Sequence, residues 1–374
     1  MKKVILLDHE PWTKRRKQLF YELFEKAGIK LEVWDLSQWL YPGFVNPDLL
    51  LNEPYLRKIY SEREFVNLLK KEDSKKTIFV EEVARIYQNK SIFFNLSKLG
   101  FDTVKIELYG NTTIKESAKS KLKKFFDENI AHRISLRIKD IGFRIFSRIN
   151  KIKKPIAVLS SNAFQYRTHC FNHPDYEMYR FEAGERIING DYIVFCDIFF
   201  PLHSDIKFFH KIKKSFDAQH YWRIMRSYFD YLEKRYRMPV VIAAHPKANY
   251  NGDEFGGRKI IKYRTYDLVK YSRYVTMHIC NTISYTTLMD KPIAYIGTND
   301  YVAMTYIKDR IQSLVKKSLG LRFFNVEDPE YQAEFEFSKI QPDLRRDYIY
   351  SYLTSKETEN KPNHETLKEI LELL

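Results

Sequence analysis

Four consecutive apolar residues, Val4–Leu7, stand between Lys2-Lys3 and the polar triplet Asp8-His9-Glu10. A short unbroken apolar run with polar ends predicts a strand buried on both faces, as in a parallel sheet. Pro11 leads into helical spacing from Thr13 to Ala27, and Leu31–Trp34 predicts a second strand. Residues 40–75 are mixed, with a helix expected over 63–71. Thr77–Val80, Thr103–Leu108 and Ile156–Leu159 are further strand candidates. Residues 163–189 are aromatic-rich without a clear period and read as a connection, with His173-Pro174 as turn chemistry.

The second half alternates more cleanly. Strands are expected at Tyr192–Cys196, Val240–Ala244, Lys259–Ile261, Tyr274–Met277 and Pro292–Ile296. Helices are expected over 217–235, 266–272, 284–289 and 301–318, and a last one within 357–374. Five strands separated by helices predict a doubly wound parallel sheet. A chain of 374 residues suits two cores. The expected organisation is an α/β domain over 1–162, a connection over 163–189, a second α/β domain over 190–350, and a linker with helix over 351–374.

Charge changes this picture. The net charge of +15 is either a Lys-rich composition or an attraction to phosphate, nucleic acid or an anionic lipid surface. No zinc-finger spacing, RNP-type strand or basic zipper is present, so nucleic acid is not expected as a partner. Residues 114–154 carry 13 Lys or Arg against 4 Asp or Glu, a difference of +9, with isoleucines and phenylalanines interleaved. That segment is either a solvated helix packed on its own domain or a peripheral membrane contact. The three cysteines are widely spaced and imply no disulfide framework, which fits the cytoplasm. Val4–Leu7 is too short for a signal-peptide core, and no run approaches the length of a membrane span.

Candidate chemistry follows from the expected strand ends, because open parallel sheets bind ligands beyond their carboxyl ends. Asp197, His203 and Asp205 follow the first strand of the second domain, His245-Pro246-Lys247 the second, and His278, Asn281, Thr282, Ser284, Thr286 and Thr287 the fourth. Imidazole and ammonium groups at His245 and Lys247 suit phosphate oxygens. Hydroxyls at the start of a helix suit the same anion, with N-capping as the plainer use. The spacing of Asp197, His203 and Asp205 matches no standard metal site, and no metal or cofactor is expected. The sequence lacks GxGxxG, a P-loop and a GxSxG elbow, which argues against a nicotinamide dehydrogenase, a P-loop NTPase and an α/β-hydrolase.

Over about 191–297 the sequence resembles bacterial GT-B glycosyltransferases of surface polysaccharide synthesis, the sialyltransferase, polysialyltransferase and capsular Kdo-transferase-like proteins. The resemblance rests on His245-Pro246 and on Ser284, Thr286 and Thr287 ahead of Asp290-Lys291-Pro292. It implies two Rossmann-like domains facing across a cleft, and a sugar moved, with inversion and without metal, from a nucleotide-activated donor. It also implies that His245-Pro246 takes the CMP moiety, that the hydroxyls take the phosphate, and that the acceptor is a glycan or lipid-linked glycan. The family's acidic motif in the first domain is missing, so the base is sought at the strand ends. Asp8, His9 and Glu10 are the first choice, Glu81 and Glu82 the second. Two alternatives stay open: another phosphate-donor transferase or epimerase on the same frame, and a non-catalytic anion or nucleic-acid binder.

Overall fold

A computed structural model describes residues 2–43, 50–108, 141–203 and 216–374. Asp205 and the basic residues 114–140 lie outside the described residues. Described residues up to Asn172, together with Ser355–Leu374, form a first compact unit, and those within His173–Thr354 form a second.

The first unit holds seven parallel strands: β1 (Lys3–Asp8), β2 (Leu31–Asp35), β3 (Leu56–Lys58), β4 (Thr77–Glu82), β5 (Asp102–Glu107), β6 (Ala157–Ser160) and β7 (His169–Cys170). Their order is β3-β2-β1-β4-β5-β6-β7, the Rossmann order with one added strand. β1 shows why an unbroken apolar run was needed. Val4 and Leu6 enter one core with Phe20 and Phe24, while Ile5 and Leu7 enter another with Trp34 and Phe79 on the opposite face. All four residues are fully buried.

The second unit holds β8 (Ile193–Cys196), β9 (Val240–Ala244), β10 (Ile260–Lys262), β11 (Tyr274–Met277), β12 (Ile293–Gly297) and β13 (Phe323–Asn325). The order is β10-β9-β8-β11-β12-β13, again parallel throughout. Val194 and Cys196 of β8 face one core, and Ile193 and Phe195 the other. The chain thus forms the expected pair of Rossmann-like α/β domains.

Several elements depart from the sequence reading. Six strands replace the expected five in the second unit. β13 is not legible in the sequence because Phe323-Phe324-Asn325 is too short to show a period. The connection expected over 163–189 contains β7 and the helix Pro174–Phe181. His173 caps that helix, its Nδ1 accepting the Asp175 N–H at 3.1 Å, so it is used structurally. The helix expected over 301–318 breaks at Met304, whose extended backbone separates Asn299–Ala303 from Thr305–Arg310.

The C-terminal segment belongs to the first unit. Leu367, Ile370 and Leu371 of the helix Asn363–Leu373 fill the core around Phe20 and Phe24. Two buried asparagines fix the segment. Asn172 N–H donates to Asn363 Oδ1, and Asn363 Nδ2 donates to the Asn172 carbonyl, both at 2.8 Å.

Candidate active site

In the first unit the chain leaves β1 and crosses to β2 on one side, whereas β4 lies on the other. The crevice between β1 and β4 is therefore the topological switch point, where open α/β sheets bind ligands. Asp8 ends β1 and Glu82 ends β4, directly paired in register.

Asp8 is fully buried and clamped by Arg16, which donates Nε to Oδ2 at 2.7 Å and a terminal nitrogen to Oδ1 at 2.8 Å. Arg16 also reaches Glu82 Oε2 at 3.3 Å. Burial pushes the Asp8 carboxyl up, against the pull of Arg16. The same burial, with Asp8 adding repulsion, pushes Glu82 up to about 8 despite Arg16. Asp8 was a candidate base from sequence. Its geometry is that of a buried anchor, since both oxygens are taken by Arg16 and it is sealed from solvent.

His9 differs. Its ring is about one-third exposed, and Nδ1 is hydrogen-bonded to the Glu82 carbonyl. A carbonyl oxygen only accepts, so Nδ1 carries a proton, and in the neutral ring Nε2 is the nitrogen with the lone pair. Glu10, half-exposed, places Oε1 3.9 Å from Nε2. Tyr41 meets the His9 ring edge-on at 6.3 Å between centroids. Tyr41 also lines a hollow of about 390 Å³ together with Trp39, Glu62, Gln88, Asn89 and Ser91. Glu81, the other second-choice carboxylate, is held by Arg85 through both oxygens and is buried.

In the second unit the switch point falls between β8 and β11. Asp197 follows β8, buried at 6% exposure. Its carboxylate accepts the N–H of Phe199 at 2.9 Å, the N–H of His245 at 3.2 Å and the hydroxyl of Tyr250 at 2.8 Å. Burial raises this carboxyl to about 6, with its hydrogen-bond donors, the Ile198 N–H among them, opposing. Asp197 therefore positions the end of β9 and does not itself present an oxygen to a ligand.

His245 stands at the end of β9 in a turn whose Lys247 N–H donates to His245 Nδ1 at 3.2 Å. Accepting on Nδ1 leaves the ring proton on Nε2, a donor suited to a phosphate oxygen. The ring of His203 meets that of His245 at 4.7 Å between centroids, nearly perpendicular. His203, His245, Pro246 and Lys247 are all partly exposed at this edge. The structure thus brings four of the expected residues together around Asp197.

The third cluster is placed differently. All six residues of the helix Ile283–Leu288 are buried. Ser284 Oγ donates to the Asn281 carbonyl at 3.2 Å and Thr286 Oγ1 to the Ile283 carbonyl at 2.9 Å, while Thr287 Oγ1 is buried with no hydrogen-bond partner. The first-turn N–H groups of Ile283, Ser284 and Tyr285 bond to the carbonyls of Cys280, Asn281 and Thr282. Thr282 provides no side-chain cap. The expectation that Ser284, Thr286 and Thr287 open toward an anion is therefore corrected: a tight turn satisfies the amides internally, and the hydroxyls face the packed interior. Asn281 is exposed and Thr282 partly so. His278 is fully buried and neutral, lowered to about 4 by burial, with Nδ1 bonded to the Ile296 carbonyl and Nε2 to the Tyr221 hydroxyl.

Sequence reasoning missed Arg16, Tyr41 and Tyr250. Arg16 left a faint trace, a basic residue in the first helix after an acidic strand end. Tyr250 left none. A larger hollow, about 640 Å³, lies at the amino-terminal end of β9, where Arg258 is already held by Asp230 and Glu233 at 2.5 and 2.6 Å. It is remote from the carboxyl strand ends. Among the described residues no group of three or more His, Cys, Asp or Glu is arranged to hold a metal ion. No described helix is long and apolar enough to cross a membrane.

No family model matches the chain, and no curated protein matches it. Solved structures do. The spinosyn forosaminyltransferase SpnP aligns over 100% of this chain and 99% of its own, at 10% identity and a TM-score of 0.49. The wall teichoic acid polymerase TagF, as its H548A variant, aligns over 99% and 89%, at 10% identity and 0.49. The UDP-GlcNAc 2-epimerase from Methanocaldococcus jannaschii aligns over 100% of both chains, at 12% identity and 0.45. Scores below 0.5 describe a loose likeness of fold and go no further.

Proposed function

We propose that this protein is a glycosyltransferase that moves a sugar from a nucleotide-activated donor to a carbohydrate hydroxyl. One observation carries the reading: two strand-end histidines are tied by local hydrogen bonds into opposite tautomers. His9 keeps its lone pair on Nε2, and His245 keeps its proton there. The first is suited to take a proton and the second to meet an anion.

In the proposed reaction an acceptor O–H gives its proton to His9 Nε2 as the oxygen attacks the anomeric carbon. The bond from that carbon to the donor phosphate breaks, and the nucleotide leaves with the electron pair. In the second unit, His245 Nε2–H and the Lys247 ammonium are groups suited to a donor's phosphate oxygens, and no metal ion is invoked. A single displacement of this kind inverts the anomeric centre. Trp39 and Tyr41 offer flat apolar faces, and Glu62, Gln88 and Asn89 offer hydrogen-bonding groups; that mixture suits a sugar acceptor, which has both kinds of surface. The resemblance at His245-Pro246 favours a CMP-linked donor and a surface glycan as acceptor.

The test has two stages. CMP, CDP, UDP and GDP are screened for a rise in melting temperature, since a ligand of the folded state alone raises it. The matching sugar nucleotides are then incubated with glycoside acceptors, with and without EDTA. Transfer that survives EDTA and is lost in His9→Ala supports the reading. Conversion of the donor sugar without any acceptor would move the assignment to an epimerase.

A further inference from the structure

We propose that the outer face of the helix at 141–149 docks on a bilayer surface rich in anionic lipid. The helix has two apolar sides. On the inner side Phe143 is buried against Phe93, with ring centroids 5.6 Å apart, and Phe146 meets Tyr87 and Phe94 at 6.2 Å each. A Cβ added at Gly142 would lie 3.4 Å from the Tyr87 ring, in ordinary van der Waals contact. The helix is therefore already seated on its own domain, and its other apolar residues are not waiting for that core.

Those other residues are Ile141, Ile145 and Ile149, exposed by 53%, 55% and 75%. Steps of four residues keep them on one stripe about 80° wide. An isolated exposed isoleucine is ordinary, but three in register on one seated helix are not. Arg144 and Arg148 flank the stripe and are exposed, and Lys151 and Lys154 follow. The sequence 141–156 holds five Lys or Arg and no Asp or Glu. One of the five, Lys153, is engaged by Asp102 at 3.0 Å. A stripe of branched apolar side chains edged by cations matches the interface of an anionic bilayer, where the isoleucines enter the acyl boundary and the cations meet headgroup phosphates. A neutral protein groove would match the isoleucines and leave the flanking arginines unused. This inference is independent of the proposed activity.

The test is sedimentation of the full chain with phosphatidylcholine vesicles, with and without phosphatidylglycerol. The wild type is expected to bind only the anionic vesicles and to release with added salt. Ile145→Ser/Ile149→Ser, which leaves the charge unchanged, is expected to lower the bound-to-free ratio about tenfold. Arg144→Gln/Arg148→Gln is expected to lower it by a similar factor. Circular dichroism melts of both variants show whether the fold is kept; because the mutated residues are exposed, melting should match the wild type. Failure of the wild type to bind, or wild-type binding by a folded isoleucine variant, overturns the proposal. So does a lipid-free dimer that the isoleucine substitutions dissolve, which would assign the stripe to a second copy of the chain.

Discussion

Asp197 and His245 sit at the ends of neighbouring strands and are joined by a hydrogen bond from the His245 N–H to Asp197 Oδ2, at 3.2 Å. The carboxylate that looked like a ligand residue braces the backbone of the histidine beside it. Removing the brace should leave the His245 N–H without its acceptor and loosen the turn that carries the imidazole. Asp197→Ala is expected to weaken nucleotide binding about tenfold or more, with Tyr250→Phe smaller in effect because one of several donors is lost. Titration calorimetry with the nucleotide selected by thermal shift measures both. Unchanged affinity in Asp197→Ala would remove the brace from the account.

His9 and Asp8 are adjacent in sequence and should fail in different ways. His9→Ala is expected to reduce transfer by about 10²–10⁴-fold with little change in melting, the usual span for a lost general base. Asp8→Ala strands the buried Arg16 guanidinium without its bidentate partner, a loss expected to cost about 3–5 kcal/mol of stability. Urea unfolding separates the two. Equal melting of both variants would argue against the assigned roles.

Glu82 makes stability depend on pH in a stated direction. Its carboxyl titrates near 8 in the folded chain and in the ordinary range near 4.5 when unfolded. Between those values the folded state holds the extra proton, so stability falls as pH rises through the window. Glu82→Gln is expected to flatten the slope and to melt higher than the wild type at pH 8. Melting curves from pH 5 to 9 check the sign.

His278 acts in the opposite sense. It is buried neutral and titrates near 4, below its ordinary 6.5, so stability is lost as pH falls through that interval. His278→Ala leaves the Tyr221 hydroxyl and the Ile296 carbonyl without their partner and opens a cavity among Phe195, Phe200 and Tyr301. The expected cost is about 2–4 kcal/mol, with nucleotide affinity retained by the fraction that stays folded. His245→Ala should reverse that pattern, with melting kept and nucleotide binding lost.

The buried hydroxyls give a further contrast. Ser284→Ala is expected to leave nucleotide affinity within twofold of wild type, about the size of an indirect effect. Thr286→Ala is expected to cost about 1 kcal/mol through its lost bond to the Ile283 carbonyl. A tenfold affinity loss in Ser284→Ala would restore the hydroxyls to the binding edge.

The sequence determined by itself that Val4–Leu7 would be a buried strand, because only a strand covered on both faces needs an unbroken apolar run, and that Tyr192–Cys196 would be another strand. It also determined which residues follow those strands, since a strand's end carries its next residues to one sheet edge whatever the loops do. His9 and His245 were legible in this way. Tertiary structure alone decided what each strand-end residue does there. Asp8 became an anchor because Arg16, eight residues on, folds back over it; Asp197 became a brace because Tyr250 reaches it from another loop. Ser284, Thr286 and Thr287 turned inward because all six residues of their short helix are buried. Solvent exposure and hydrogen-bond partners depend on which distant segments arrive at a residue, and local sequence does not encode that.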